Sequence, residues 1–412
     1  MLKRPASAMA DGGGGELLVC DAHMHCWDQL EKVTKFNNHI LGDCGTYLPE
    51  DYRKDLLGPG GSPVKLRSSV HVEAFPTDQV EETRWIHSLR SGAFPVGAIV
   101  ANANISLQKE NEKSRSTQAE GMDALEDVLA RHKDASGLLR GIRWVLNHEP
   151  NWPQVHRGDY FSDPQFRAGF QKLQEHGLSY DLQCNPHQLR EAAAFLRDFP
   201  GVPVCLNHVG CLKLEGDADA RARALNVWRE GMKALLRTRS RTNWGRHGPS
   251  ARPRLLRGLA SPRRSAASGV ARSEGEVRHM VGVCLVSGRP PRFARATIGG
   301  KSIQQGMHSK PQALAALPHV YCKLSMLAYT VPDWWTTPEG KAEAKSVVRE
   351  TISIFGDERC MFASNFPAEP AGVGREQLYA NFSAMVEDLS QEQRDGLFYR
   401  NAEKFYRIVV PE

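Results

Sequence analysis

The strongest constraint on the fold is a repeated alternation of short apolar runs with helix-length segments. The first run, Leu17-Leu18-Val19-Cys20, ends in Asp21-Ala22-His23-Met24-His25. Further strand-like runs lie at 69–74, 94–101, 141–146, 178–183, 202–208, 319–325 and 359–365. Helical patterns separate them at 78–91, 119–132, 163–176, 186–198, 217–235 and 339–355, and a closing helix is expected over 390–408. Residues 28–63 read as a long loop with room for a short helix. Gly177 and Gly356 stop two of the helices, and Pro186 opens another, as the conformational preferences of these residues favour. Strands alternating with helices through short connections predict a parallel sheet. Eight such units in 412 residues predict an α/β fold, a (β/α)8 TIM barrel, with its working face at the C-terminal strand ends. An open doubly wound sheet is the second reading, but no Gly-x-Gly-x-x-Gly turn follows the first strand.

One connection does not fit the rhythm. The segment 236–314, between the sixth helix and the seventh strand, is rich in Arg, Ser, Gly and Pro and has no sustained period. A structureless connection of this length is foreign to a compact domain. Joining Leu235 to Ala315 restores Met-Lys-Ala-Leu-Ala-Ala-Leu-Pro-His-Val-Tyr-Cys-Lys, a helix that runs straight into the next strand. The predicted organisation is therefore a disordered arm over 1–16 and one barrel over 17–412, interrupted by a basic insertion at 236–314. That insertion reads as a retained intron or gene-model error, or as a basic disordered loop. It also distorts the overall charge of +6. Residues 236–312 carry 14 Arg and 2 Lys against 2 Glu, a net +14, which leaves −8 for the rest. A nucleic-acid tether would need more than Trp244 and Phe293 for base stacking, so nucleic acid is not an expected partner.

No apolar run approaches the roughly 18 residues of a membrane span, and the arm lacks the apolar middle of a signal peptide. Of the nine Cys, Cys20, Cys184, Cys205, Cys322 and Cys360 sit in or beside apolar runs. That pattern predicts buried, reduced thiols and a cytoplasmic protein.

Polar residues gather where the apolar runs stop. In a strand, side chains at i and i+2 share a face, so Asp21, His23 and His25 are expected on one face. Two neutral imidazoles there form a half-site for a divalent metal, although two solvated loop histidines would have the same spacing. The later strands contribute His71 and Glu73, Arg143 and Asn147, Asp181 and Gln183, Asn207 and His208, Lys323 and Ser325, and Ser364 and Asn365. The candidate bases are Asp21, Glu73 and Asp181. Asp21 reads equally as a group that orients a histidine, and Glu73 as the structural partner of Arg143. Arg143 and Lys323 can hold a carboxylate or stabilise an oxyanion, and Trp27 is the candidate apolar substrate contact.

Five motifs in this order resemble the amidohydrolase-related family, TIM-barrel proteins described as metal-dependent hydrolases. They are Asp21-Ala22-His23-Met24-His25, Leu206-Asn207-His208-Val209-Gly210, Cys322-Lys323-Leu324-Ser325, Met361-Phe362-Ala363-Ser364-Asn365-Phe366-Pro367 and Asn401-Ala402-Glu403-Lys404-Phe405-Tyr406. The resemblance covers 17–235 and 315–410 and is nearest the sugar-lactone hydrolase branch. It implies that His23 and His25 are metal ligands, with zinc the expected ion. It also implies that His208 lies by the metal or polarises a substrate carbonyl. Asn365 stands where the family pattern has an Asp that takes a proton from the attacking water, and an amide cannot act as that base. Gln183 stands where metal-binding members have a His. Two ligands are thus replaced, and metal-independent chemistry is the alternative the resemblance leaves open.

The expected activity is hydrolysis of a lactone or similar cyclic ester or amide. The catalytic candidates are Asp21, Glu73, His208 and Asn365, and the substrate is a small molecule. A metal-dependent decarboxylase and a catalytically decayed binding protein are the rival expectations.

Overall fold

A computed structural model describes residues 16–28, 45–57, 64–107, 118–149, 157–235, 317–369 and 377–410. The predicted arm, apart from Glu16, and the predicted insertion lie outside these residues. Eight parallel strands pair strictly with their sequence neighbours: β1 (Leu17–Met24), β2 (Val64–Val72), β3 (Val96–Asn102), β4 (Leu139–Arg143), β5 (Ser179–Leu182), β6 (Val204–Leu206), β7 (Val320–Leu324) and β8 (Cys360–Phe362). The ring is drawn together just past β8. There Asn365 N–H donates to His23 O at 2.8 Å, and His25 N–H donates to Phe366 O at 2.8 Å. This sequential order is a (β/α)8 barrel and excludes the doubly wound alternative, which requires a reversal of strand order.

A helix follows each strand: α1 (Pro49–Leu57), α2 (Gln79–Leu89), α3 (Gln118–Ala135), α4 (Pro164–Glu175), α5 (Leu189–Leu196), α6 (Ala218–Ala234), α7 (Pro338–Phe355) and α8 (Leu378–Met385). Their starts are chemically marked. Asp78 accepts from Val80 N and Glu81 N, Asp163 from Gln165 N with Pro164 behind it, and Thr337 from Gly340 N. Each cap satisfies backbone donors that the first turn leaves unpaired. The apolar stripe of α4 buries Phe166, Phe170 and Leu173. Phe170 and Phe195 sit 5.0 Å apart, and Phe195 and Phe199 4.8 Å apart, in an aromatic wall outside the barrel. Burial of each such ring contributes roughly 1.5–3 kcal/mol.

The structure departs from the sequence reading mainly in four places. β2 starts at Val64, five residues early. α8 was not expected, and the closing helix is broken into Gln391–Asp395, a wider turn at Gly396–Arg400, and Asn401–Phe405. β6 spans three residues and is followed by a left-handed turn, with φ of 56° at His208, 47° at Val209 and 53° at Cys211. Positive φ at a β-branched residue such as Val209 is strained. The turn is fully buried, so surrounding packing holds it.

The seven described cysteines, including all five singled out above, are buried free thiols. Among the described residues, no helix is long and apolar enough to cross a membrane.

The end of α6 meets the entry to β7 directly. Leu317 N–H donates to Leu235 O at 3.3 Å, Arg197 donates to Ala234 O at 2.9 Å, and Arg359 donates to Leu317 O at 3.1 Å. Arg229 on α6 forks onto Glu350 of α7 at 2.6 and 2.8 Å. A connection from a helix to the next strand lies on the barrel face opposite the C-terminal strand ends.

Candidate active site

Three odd-numbered strands supply one polar layer: His23 from β1, Asp181 from β5 and Lys323 from β7. Layers built from alternate strands are how a barrel interior is filled. Lys323 is completely buried, which is rare for lysine. Its Nζ lies 2.5 Å from Asp181 Oδ2 and 3.2 Å from His23 Nδ1. Tyr406, from the end of the chain, donates to the same carboxylate, at 2.9 Å to Oδ1 and 3.1 Å to Oδ2.

A second buried ion pair lies on the other side of His23. Arg143 Nε donates to Glu73 Oε1 at 2.5 Å, its Nη2 to the Glu73 carbonyl at 2.5 Å, and its Nη1 to Gln183 Oε1 at 3.1 Å. The Nη1 atom is also 3.4 Å from His23 Nε2. Glu73 Oε2 accepts from Phe75 N–H at 2.8 Å and from Asn102 Nδ2 at 3.1 Å. A buried charge is tolerated only when partnered in this way.

His23 and His25 meet through their Nε2 atoms at 3.2 Å. His25 Nδ1 lies 2.7 Å from Val72 O. A carbonyl can only accept, so the His25 proton is on Nδ1 and its Nε2 bears the lone pair. Asn365 lies against the His25 side chain, and its Nδ2 is buried with no partner. His208, in the turn after β6, stands beside His23, with ring centroids 4.6 Å apart, and its Nδ1 pairs with Ser325 Oγ at 2.9 Å. His71 lies behind His25, at 6.4 Å between ring centroids.

All four imidazoles are held well toward the neutral form. Burial is the main cause for His23, with Lys323 next, and for His25 and His208, with Arg143 next. Burial pushes His71 down to about 3. Desolvation and neighbouring cations both disfavour imidazolium.

The remaining candidates are placed differently. Asp21 does not join the imidazoles. Its carboxylate accepts from Ser364 N at 2.8 Å, Ser364 Oγ at 2.6 Å, Tyr52 Oη at 2.9 Å and His23 N at 3.3 Å. It ties β1 to the end of β8 and to α1. Burial raises its pKa, and the hydrogen bonds from Ser364 oppose that rise. A register shift between Asp21 and Met24 interrupts the simple alternation that would align Asp21 with the two histidines. Trp27 is fully buried, and its Nε1 donates to Gly45 O at 2.7 Å. Sequence reasoning missed Tyr52 and gave Tyr406 no role. Each is an apolar-flanked tyrosine whose hydroxyl needs a partner when buried.

The donor set tests the expected metal. The two Nε2 atoms are spaced as two ligands of one ion would be. Yet two cationic side chains, Lys323 and Arg143, already touch His23. Among the described residues, no group of three or more His, Cys, Asp or Glu side chains converges on a metal position. A resident divalent cation prefers anionic or neutral donors in a set of about four. The described residues do not fit one.

A nearly closed ring of eight parallel strands, with buried ion pairs and neutral imidazoles at the strand ends, is a barrel of the TIM class. The amidohydrolase family profile matches residues 20–254 and 293–408, and the chain belongs to that family. Protein y4mH of Sinorhizobium fredii, which is uncharacterized, is 25% identical over 414 residues, covering 95% of this chain and 99% of that one. An L-fucono-1,5-lactonase of Burkholderia ambifaria is 25% identical over 192 residues, covering 46% of this chain and 55% of the lactonase. An amidohydrolase of Burkholderia multivorans solved with bound zinc superposes at a TM-score of 0.58 and 18% identity, covering 95% of this chain and 100% of that one. That last likeness concerns the fold.

Proposed function

We propose that this chain is a hydrolase that opens a lactone or similar cyclic ester with water, using an imidazole as base. One observation carries the reading: every candidate carboxylate is committed to cationic, hydroxyl or amide donors, while the Nε2 of His25 faces the neighbouring His23 imidazole at 3.2 Å. Asp21 serves four donors, Glu73 serves Arg143 and Asn102, and Asp181 serves Lys323 and Tyr406. His25 keeps an Nε2 lone pair because Val72 O holds its other nitrogen.

In this reading His25 takes the proton of the attacking water, a role for which a neutral imidazole is suited. The unpartnered Asn365 Nδ2 donates to the oxyanion as it forms, so Asn365 acts as a hydrogen-bond donor where a base was expected. In this reading His208 Nδ1 accepts from Ser325 Oγ, so its proton sits on Nε2 and passes to the leaving oxygen as the ring opens. Arg143 and Lys323 shape the potential around His23 and do not clasp the substrate. The partial match to L-fucono-1,5-lactonase supports a sugar lactone as substrate class. Hydrolysis needs only water as co-reactant, and no step requires a metal.

The test is a panel of sugar and aliphatic lactones beside a panel of aromatic acids, each with and without chelator. Proton release from a lactone that persists in chelator is the expected result. Carbon dioxide release from an aromatic acid would replace the reading with a decarboxylase, and binding without turnover would replace it with a decayed enzyme.

A further inference from the structure

Lys323 is the most deeply buried cation in the described barrel, and substrate contact does not explain it. Its Nζ has no exposed surface, and its partners are Asp181 Oδ2 at 2.5 Å and His23 Nδ1 at 3.2 Å. We propose that Lys323, anchored by Asp181 and Tyr406, is a positioning residue that fixes the His23 proton on Nε2, making His23 the donor and His25 the acceptor of the pair.

The argument follows from which groups can donate. An ammonium has only donors, so His23 Nδ1 must accept from Lys323. A neutral His23 then carries its single proton on Nε2. His25 is set the opposite way, because Val72 O forces its proton onto Nδ1. The Nε2–H of His23 therefore faces the Nε2 lone pair of His25 across 3.2 Å. The four groups form one ordered run, in which Lys323 donates to His23, His23 to His25, and His25 to Val72 O. Neither ring then offers an open lone pair at rest, which agrees with the poor fit of a divalent cation. Arg143 Nη1 carries two protons: one goes to Gln183 Oε1 at 3.1 Å, and the other faces His23 Nε2 at 3.4 Å, a longer contact than the 3.2 Å from Lys323 Nζ to His23 Nδ1, so Lys323 is the donor that sets the tautomer.

The anchor explains Tyr406. Its hydroxyl reaches both oxygens of the Asp181 carboxylate that Lys323 Nζ contacts. Its position at the end of the closing helical run makes that run part of the site's support. When substrate enters, His23 can turn the same N–H from His25 to the developing oxyanion and free the His25 lone pair for water. This last role rests on the proposed hydrolysis, whereas the proton placement does not.

The test uses the full-length protein with histidine labelled by nitrogen-15, the His23 signals being identified by their loss in His23→Asn. Two-bond proton–nitrogen spectra without substrate are expected to show His23 protonated on Nε2 and His25 on Nδ1. In the double variant Lys323→Met/Asp181→Asn, which removes both charges together, the His23 proton is expected to redistribute toward Nδ1. In turnover, the same variant should lower kcat by about 100-fold or more with KM within about twofold, the split expected for a lost transition-state contribution. Tyr406→Phe, which removes one hydroxyl, should lower kcat by about threefold or more at unchanged KM. A wild-type His23 protonated on Nδ1, or a His23 spectrum unmoved in both variants, overturns the inference. So does a raised KM at unchanged kcat, which would make Lys323 a substrate contact. The spectra need no substrate, so a protein that turns over no lactone yet shows the predicted tautomers loses the proposed activity and keeps this inference.

Discussion

His23 and His25 stand two residues apart at the end of the same strand, yet the protein holds them by different means. His25 is tied to a backbone carbonyl, Val72 O. His23 is flanked by two buried cations, Lys323 and Arg143, each neutralised by its own carboxylate. A motif that reads as a symmetrical pair of ligands is therefore an asymmetrical pair, one member an acceptor and the other a donor. Second partners, not sequence spacing, decide what an imidazole does.

The contrast is most open to challenge at His25. His25→Asn removes the proposed base and should lower kcat/KM by about 10²–10⁴-fold, read by steady-state hydrolysis of whichever lactone the panel selects. Little further loss when His25→Asn is added to a Lys323→Met/Asp181→Asn background would place both on one route, because residues acting as a unit are not additive. Asn365→Asp comes next. It replaces an amide donor with a carboxylate and should lower kcat by roughly 10²-fold. A rise in kcat would mean that the site lacks a carboxylate base.

The cationic side of the contrast is tested by stability. Lys323→Met alone strands Asp181 as an unpaired buried charge and should cost about 3–5 kcal/mol in chemical denaturation. Adding Asp181→Asn should recover much of that loss. If the single variant is as stable as the double, the ion pair is not what holds Asp181.

The neutral imidazoles make a pH prediction. His71 is pushed down to about 3 in the fold, against roughly 6.5 in an unfolded chain. Below about 6.5 the unfolded chain takes up the proton first, so stability falls as the pH drops from 6.5 toward 3. Each such imidazole contributes a slope of about 1.4 kcal/mol per pH unit. Urea denaturation between pH 7 and 5 should show a shallower slope in His71→Phe.

The smallest effect is expected on the opposite face of the barrel. If Ala315 follows Leu235, the observed bond from Leu317 N–H to Leu235 O becomes that of an ordinary i to i+3 turn. We propose that residues 236–314 are an insertion the barrel does not need. Deleting them should leave kcat/KM within about twofold and Tm within a few degrees, in line with the tolerance of surface connections.

Much of the fold was legible because it is written locally. Asp78, Asp163, Thr337, Gly177 and Gly356 punctuate the helices, and the alternation of types forces parallel strands. The candidate site was legible as a gathering of polar residues, since His23, His25, Arg143, Asp181, Lys323 and His208 all stand at or just past strand ends. Their partners were not, because they come from distant segments. Asp21 finds Tyr52 and Ser364, and Lys323 reaches Tyr406 through Asp181. Nor does a period of two reveal the register shift beyond Asp21 or the strained turn after Asn207. The closing helix was misjudged for a similar reason: its apolar pattern continues through the wider turn at Gly396–Arg400.

The central claim is that an imidazole, without a resident metal, opens a cyclic ester at this barrel mouth. Its most direct test is proton release from the lactone panel by chelator-treated wild-type protein and by His25→Asn. The account predicts turnover that chelator leaves unchanged and that His25→Asn loses. Turnover abolished by chelator and restored by zinc, or turnover retained in His25→Asn, would contradict it.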